Sequence, residues 1–194
     1  MNAQTTIHDG GALRASLVFA VVILLGMGLS YSLAGTGLGR LLFAQQATGS
    51  MIEREGRIVG SALVAQDFAD PRYFRSRPSA AGYDPMAVAG SNQARSNPEL
   101  RARIAEATAA VARREGIAPS AVPADLVTQS GGGLDPHISP RGAQVQAARV
   151  AKARGVDVAQ VERMIVQHTE GPQLGLLGQP RVNVLELNLA LDAL

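Results

Sequence analysis

The stretch SGGGLDPHISP, Ser130 to Pro140, places two serines, an aspartate and a histidine within a few positions of three consecutive glycines. Those side-chain types are the ones nucleophilic catalysis needs: a serine hydroxyl, an imidazole base and a carboxylate to orient it. Ser130 or Ser139 with His137 and Asp135 would supply them, which defines a hydrolase alternative. Their closeness along the chain counts against it, because triad members come from separate elements and no G-x-S-x-G elbow occurs in the chain.

Two other chemistries fit less well. Metal binding needs clustered ligands, but His8, His137 and His168 lie far apart and there is no cysteine, so no metal site is assigned. A Walker loop requires a lysine after its last glycine, and the single lysine, Lys152, lies in AKARG instead. Successive backbone amides of a glycine turn can still hold an anion without lysine. The plainer account is structural: glycines reach positive φ, Pro136 and Pro140 stiffen the chain, Asp135 caps the turn and Ser139 starts a helix. The turn is therefore read as a rigid docking or anion-binding surface, with Ser130, Gly131, Gly133, Asp135 and His137 as its candidates and no catalytic residue. A second candidate surface is RYFRSR, where Arg72, Tyr73, Phe74, Arg75 and Arg77 alternate cations with rings that suit a partner interface.

These groups must be positioned by the rest of the chain. No charge falls between Arg14 and Arg40, and the apolar run Ala15–Ala34 is long enough to cross a bilayer. A secretory signal is the rival, with Ser32-Leu33-Ala34 as its cleavage site and a free periplasmic domain as its product. The run exceeds the usual signal core, which favours a retained anchor. The expected organisation is a short tail over 1–14, a transmembrane helix over 15–34, a juxtamembrane connector over 35–43 containing GTGLG, and a soluble domain over 44–194.

Within that domain, SMIER and RIVGSALV flank Glu55-Gly56 as a β-hairpin. The segment from Gln66 to Asn97 is rich in Pro, Gly and Ser, yet holds four of the seven aromatics, so it is expected to fold against the core or a partner. Asn97-Pro98 opens a helix that Gly116 ends, Ser139-Pro140 opens a second ending at Gly155, and Asp157 with Gln160 starts a third ending near His168. VPADLVTQ is read as a short buried strand. The C-terminal RVNVLELNLALDAL slips phase once, as a bulged strand or a strand turning into a helix would. Asn183 and Asn188 are taken as hydrogen-bonded positions without chemistry. The fold class is α+β: one N-terminal span, then a small domain with a hairpin and three to four helices. The 18 basic residues against 16 acidic ones give no reason to expect nucleic acid.

In order along the chain, GSALVAQDF, YFRSRPSA, GSN at Gly90 to Asn92, DLVTQSGGGLDPHISP and LGQPRVNVLELNLALD are similar to motifs of the C subunit of the Kdp potassium-transporting P-type ATPase. The sequence departs from that family's pattern at Gly132, at Gln179 and at Tyr31-Ser32. The resemblance implies a non-catalytic accessory subunit in a bacterial inner membrane. Its implied partners are a channel-like potassium-conducting subunit, a catalytic ATPase subunit, a small one-span subunit and membrane lipid. The resemblance also implies a catalytic chaperone that raises the ATP affinity of the ATPase subunit through the Ser130–His137 turn. It further implies an amino terminus inside and a soluble domain outside the cytoplasm. Direct ATP contact conflicts with that placement, so no cofactor is assigned to this chain, and the outside placement is favoured.

Overall fold

The computed structural model describes residues 9–194, which form two compact units divided after Ser50. His8 and the first part of the expected tail lie outside the described residues. In the first unit, α1 (Asp9–Val22), a π-helical stretch (Ile23–Leu29) and α2 (Ser30–Leu42) follow without a break. Gly11–Leu42 is long and apolar enough to cross a membrane. Gly35, Gly37 and Gly39, placed by the sequence in a connector beyond the span, are helical and continue it. Glycine weakens a helix by only about 1 kcal/mol per residue, and Leu33, Leu38, Leu41 and Leu42 carry the apolar run onward. Phe43 leaves helical geometry, and a single turn, α3 (Ala44–Ala47), follows.

The second unit is the expected α+β domain. Strands β1 (Met51–Arg54) and β2 (Arg57–Ser61) pair as an antiparallel hairpin with a register shift between Ile52 and Glu53. Glu55 and Gly56 both take positive φ (53° and 76°), the requirement of the two-residue turn whose twist matches the strands. A long irregular segment then leads to α4 (Pro98–Glu115). The Asn97 side chain accepts from the Glu99 amide and left-handed Gly116 closes that helix. Two further helices use the same local code: α5 (Pro140–Arg154), capped by Ser139 and ended by Gly155, and α6 (Val158–Gln167), capped by Asp157.

Three short strands form a second sheet. Strand β3 (His137–Ile138) and β4 (Thr169–Glu170) both pair antiparallel with the central β5 (Arg181–Asn183), which runs directly into α7 (Val184–Leu191). The phase slip at the C-terminus is therefore a strand becoming a helix, with the Asn183 side chain accepting from Glu186 N as the cap. VPADLVTQ is not a strand. Pro123 leads a 3₁₀ turn over Ala124–Leu126, and the Asp125 carboxylate accepts from Ser139 N at 2.7 Å, at the N-terminus of α5. A carboxylate there is favoured by the exposed amides and the helix dipole.

The core lies among α4, α5, α6, α7 and β5, and Phe74 from the irregular segment is one of its largest fully buried side chains. On α5 the buried positions Ala143, Gln146, Ala147, Val150 and Ala151 form one helical stripe. One member of that stripe is polar. α7 repeats the pattern, with Asn188 among Val184, Leu185, Leu187 and Leu191.

Candidate functional site

The glycine turn is packed against its own chain. Gly133 has φ +75°, and a Cβ there would lie 2.9 Å from Ala89 O and 3.0 Å from Ser79 Oγ. Across the same contact, a Cβ on Gly90 would clash with Gly131 O. The segment through Ser79 and Gly90 thus lies directly on the turn, and glycines on both sides let the two backbones approach. Ser79 Oγ donates to Gly133 O at 2.6 Å and Ala65 N to Leu134 O at 2.9 Å, so successive carbonyls of the turn are engaged.

Beside it lies a polar cluster. Arg77 Nη1 is 3.0 Å from Asp135 Oδ2, and Arg77 Nη2 reaches Thr128. The other oxygen of Asp135 accepts from His137 N at 3.0 Å and lies 3.3 Å from His137 Nδ1. Burial acts to raise the pKa of Asp135, but the hydrogen bonds from His137 and the charge of Arg77 outweigh it and hold the carboxyl below its ordinary value. Tyr83 closes the group, its hydroxyl donating to Arg77 O at 2.8 Å, and burial pushes its pKa up.

Histidine and aspartate therefore meet, but the serines are occupied elsewhere. Ser139 Oγ accepts from Gly142 N at 2.9 Å as the cap of α5, and the buried Ser130 Oγ accepts from Asp135 N at 3.4 Å. Among the described residues no hydrogen bond joins His137 to either serine, and no group of three or more His, Cys, Asp or Glu could hold a metal ion.

The RYFRSR stretch is anchored to the core through its central ring and its backbone. Phe74 is wholly buried, and the backbone around it is held by side chains from α5 and α7. Asn188 Oδ1 accepts from Phe74 N at 2.8 Å while its Nδ2 donates to Phe74 O at 2.9 Å. Gln146 does the same for Arg75, accepting from its amide at 2.9 Å and donating to its carbonyl at 3.3 Å. Arg149 Nη1 donates to Pro71 O and Tyr73 O, and Arg154 Nε to Arg72 O. The strap is thus bonded as a strand would be, with side chains supplying the partners. Arg149 also pairs with Glu115, whose side chain is fully buried between it and Arg114. Burial pushes the guanidinium of Arg149 below an arginine's ordinary value, opposed by Glu115.

What remains at the surface of the strap is Arg72, paired with Asp70 at 2.9 Å, and parts of Tyr73, Arg75 and Arg77. The Tyr73 hydroxyl donates to Asp192 Oδ2 at 3.0 Å and the ring lies under Arg154. Asn188 is the hydrogen-bonded position expected of it, whereas sequence reasoning missed Gln146, Arg149 and Arg154. Gln146 carried the same readable signal as Asn188: an amide on an otherwise apolar helical stripe must find a buried partner.

A helix able to span a bilayer followed by a small α+β domain defines a single-pass membrane protein. The chain belongs to the KdpC family, described as the c chain of a K+-transporting ATPase, whose pattern matches residues 13–193. Among its relatives, the potassium-transporting ATPase KdpC subunit of Xanthomonas campestris pv. campestris (strain B100) is 61% identical over 192 residues, covering 99% of this chain and 92% of that protein. The corresponding subunit of Gemmatimonas aurantiaca is 53% identical, covering 94% of this chain and 92% of its own. That of Methylococcus capsulatus is 50% identical, covering 93% and 97%.

Proposed function

We propose that this chain is the accessory, non-catalytic subunit of an ATP-driven potassium uptake complex in a bacterial inner membrane. The observation that carries the reading is the likeness of nearly the whole chain to proteins named as potassium-transporting ATPase KdpC subunits. In this reading residues 15–34 form the bilayer-spanning part of the N-terminal helix, 1–14 the cytoplasmic tail, 35–43 the connector and 44–194 the domain outside the cytoplasm. The partners are the channel-like potassium-conducting subunit, the catalytic ATPase subunit and the small one-span subunit.

The docking surface is the glycine turn with Ser130, Gly131, Gly133, Asp135 and His137, continued by the exposed parts of Arg72, Tyr73, Arg75 and Arg77. Phe74 drops out of that surface because it is buried. The packing of Ser79, Ala89 and Gly90 onto the turn supports docking over phosphate binding, since two of its amides, Gly133 N and Asp135 N, already donate to Ser130 O and Oγ and its conformation is held by its own chain. The subunit acts by completing and stabilising the complex, and ATP is hydrolysed by its partner.

Topology tests this first. The chain has no cysteine, so Ser120→Cys on the exposed 3₁₀ turn Pro119–Ala121 creates a unique label site. Labelling by a membrane-impermeant maleimide in intact spheroplasts is expected. Protection until lysis would place the domain inside and make nucleotide contact through the glycine turn the leading reading. Deleting the chain should abolish high-affinity uptake while its partners are still expressed; normal uptake without it would overturn the subunit role.

A further inference from the structure

The connection between β4 and β5 carries an exposed apolar feature that the subunit role does not account for. From Gly171 to Gln179 the chain reads GPQLGLLGQ, without a charge, and Leu174, Leu176 and Leu177 are 91%, 86% and 60% exposed. Leucines concentrated on one tip are unlike the scattered apolar residues of an ordinary surface.

The tip is also ordered by its own hydrogen bonds. Gln173 and Leu177 exchange both backbone bonds, at 2.8 and 2.9 Å, with Leu174 and Gly175 in the left-handed region at the turn. Gly175 N donates to Pro172 O and Leu176 N to Gln173 O. Four amides between Gln173 and Leu177 are therefore satisfied within the loop. Leu174 N and the carbonyls of Leu174, Gly175 and Leu176 have no partner within the loop, which fits a turn whose backbone stays at the hydrated headgroup level while its leucine side chains reach deeper.

We infer that the Gln173–Leu177 hairpin is a bilayer-inserting tip, its three leucines entering the acyl-chain edge of the membrane that holds the N-terminal helix. Two observations select lipid over a groove on another protein. The tip contains no Tyr, Trp or Arg, the residues that dominate protein interfaces, and leucine is under-represented among their hot spots. The chain also brings the membrane with it. The link from Phe43 to Ser50 spans at most roughly 30 Å even when fully extended, so the domain stays near the bilayer at high effective concentration. At the base of the hairpin Arg181 pairs with Glu170 at 2.6 Å, a neutral pair suited to the headgroup layer.

The inference rests on the membrane-spanning helix and on no partner, so it is tested on the full chain alone. The protein has no tryptophan, and Leu176→Trp places a single reporter at a position with ordinary φ. The variant is reconstituted into phosphatidylcholine vesicles with plain or brominated acyl chains, beside Met86→Trp, a 91% exposed reporter elsewhere on the domain. Blue-shifted emission at Leu176→Trp, with most of it lost in brominated lipid, is expected, while Met86→Trp stays red-shifted and unquenched. Adding Leu174→Asn to the Leu176→Trp chain should weaken the quenching, and Asn tolerates the left-handed backbone there. Unquenched emission at Leu176→Trp overturns the inference, as does a blue shift that arises only when partner subunits are added, which would mark a protein groove. Equal quenching of both reporters, the mark of unspecific adsorption, overturns it too. In all these cases the role in potassium uptake is untouched.

Discussion

The glycine turn and the strap around Phe74 are both held to the domain by contacts that their residue types do not announce. SGGGLDPHISP displays catalytic side-chain types, yet its glycines serve a close backbone contact and its serines serve a helix cap and a turn. RYFRSR resembles an exposed recognition patch, yet its central ring lies in the core and its backbone is bonded to Gln146, Asn188, Arg149 and Arg154. The difference shows where polar groups are most needed in this domain. A segment that enters the core without a neighbouring strand must have its amides and carbonyls satisfied by side chains, and that demand recruits residues far away in sequence.

The strongest way to break the contrast is Arg149→Ala. It removes one of the two cationic partners of the buried Glu115 and two strap bonds together, and should cost about 2–4 kcal/mol in thermal or urea unfolding of the full chain in detergent. A loss below about 1 kcal/mol, the worth of a surface pair, would mean the strap is held without Arg149. Asn188→Ala orphans the amide and carbonyl of Phe74 and should cost about 1–3 kcal/mol. Asn188→Leu, which fills the space but offers no hydrogen bonds, should not restore what the alanine loses.

Gly133→Ala sharpens the other side. At φ +75° and within 2.9 Å of Ala89 O, an added methyl should destabilise the domain by about 1–2 kcal/mol. Nothing lies within 4 Å of a Cβ on Gly131, so Gly131→Ala should leave stability unchanged. Loss of potassium uptake in Gly131→Ala with an intact melting curve would reveal a ligand or partner touching the turn. Equal destabilisation by the two substitutions would show that glycine flexibility, rather than the Ala89 contact, governs the turn.

The smallest effect concerns Asp135. Its folded pKa is depressed, so the unfolded chain takes up the proton first as pH falls. The stabilisation from Arg77 and His137 is complete above the ordinary carboxylate value near pH 4 and is lost as pH falls through the lower folded value. Because the pair is a quarter to a third exposed, the contribution is at most about 1 kcal/mol. Asp135→Asn should flatten the acid limb of stability measured between about pH 5 and 2.

Much of the domain's framework is legible because it is local. Asn97-Pro98, Ser139-Pro140 and Asp157 cap their helices within three residues, and Gly116 and Gly155 end theirs by entering a backbone region that other residues avoid. Glu55-Gly56 announces the hairpin. VPADLVTQ misleads because its apolar residues suit a strand, whereas Pro123 and the pull of Asp125 toward α5 bend it into a turn. Phe74 misleads because arginines surround it in sequence, while what surrounds it in space is the core.

The sequence alone determined the apolar N-terminal helix, the α+β class, the helix ends and the family motifs, all of which depend on residues a few positions apart. Only the tertiary structure decided that Asn188 holds Phe74 across 114 positions, that Gln146 holds Arg75 across 71, and that Gly90 rests on Gly131. The physical reason is that composition and spacing encode local backbone preference. The partner of a buried amide is set by which elements pack together, and no interval along the chain records it.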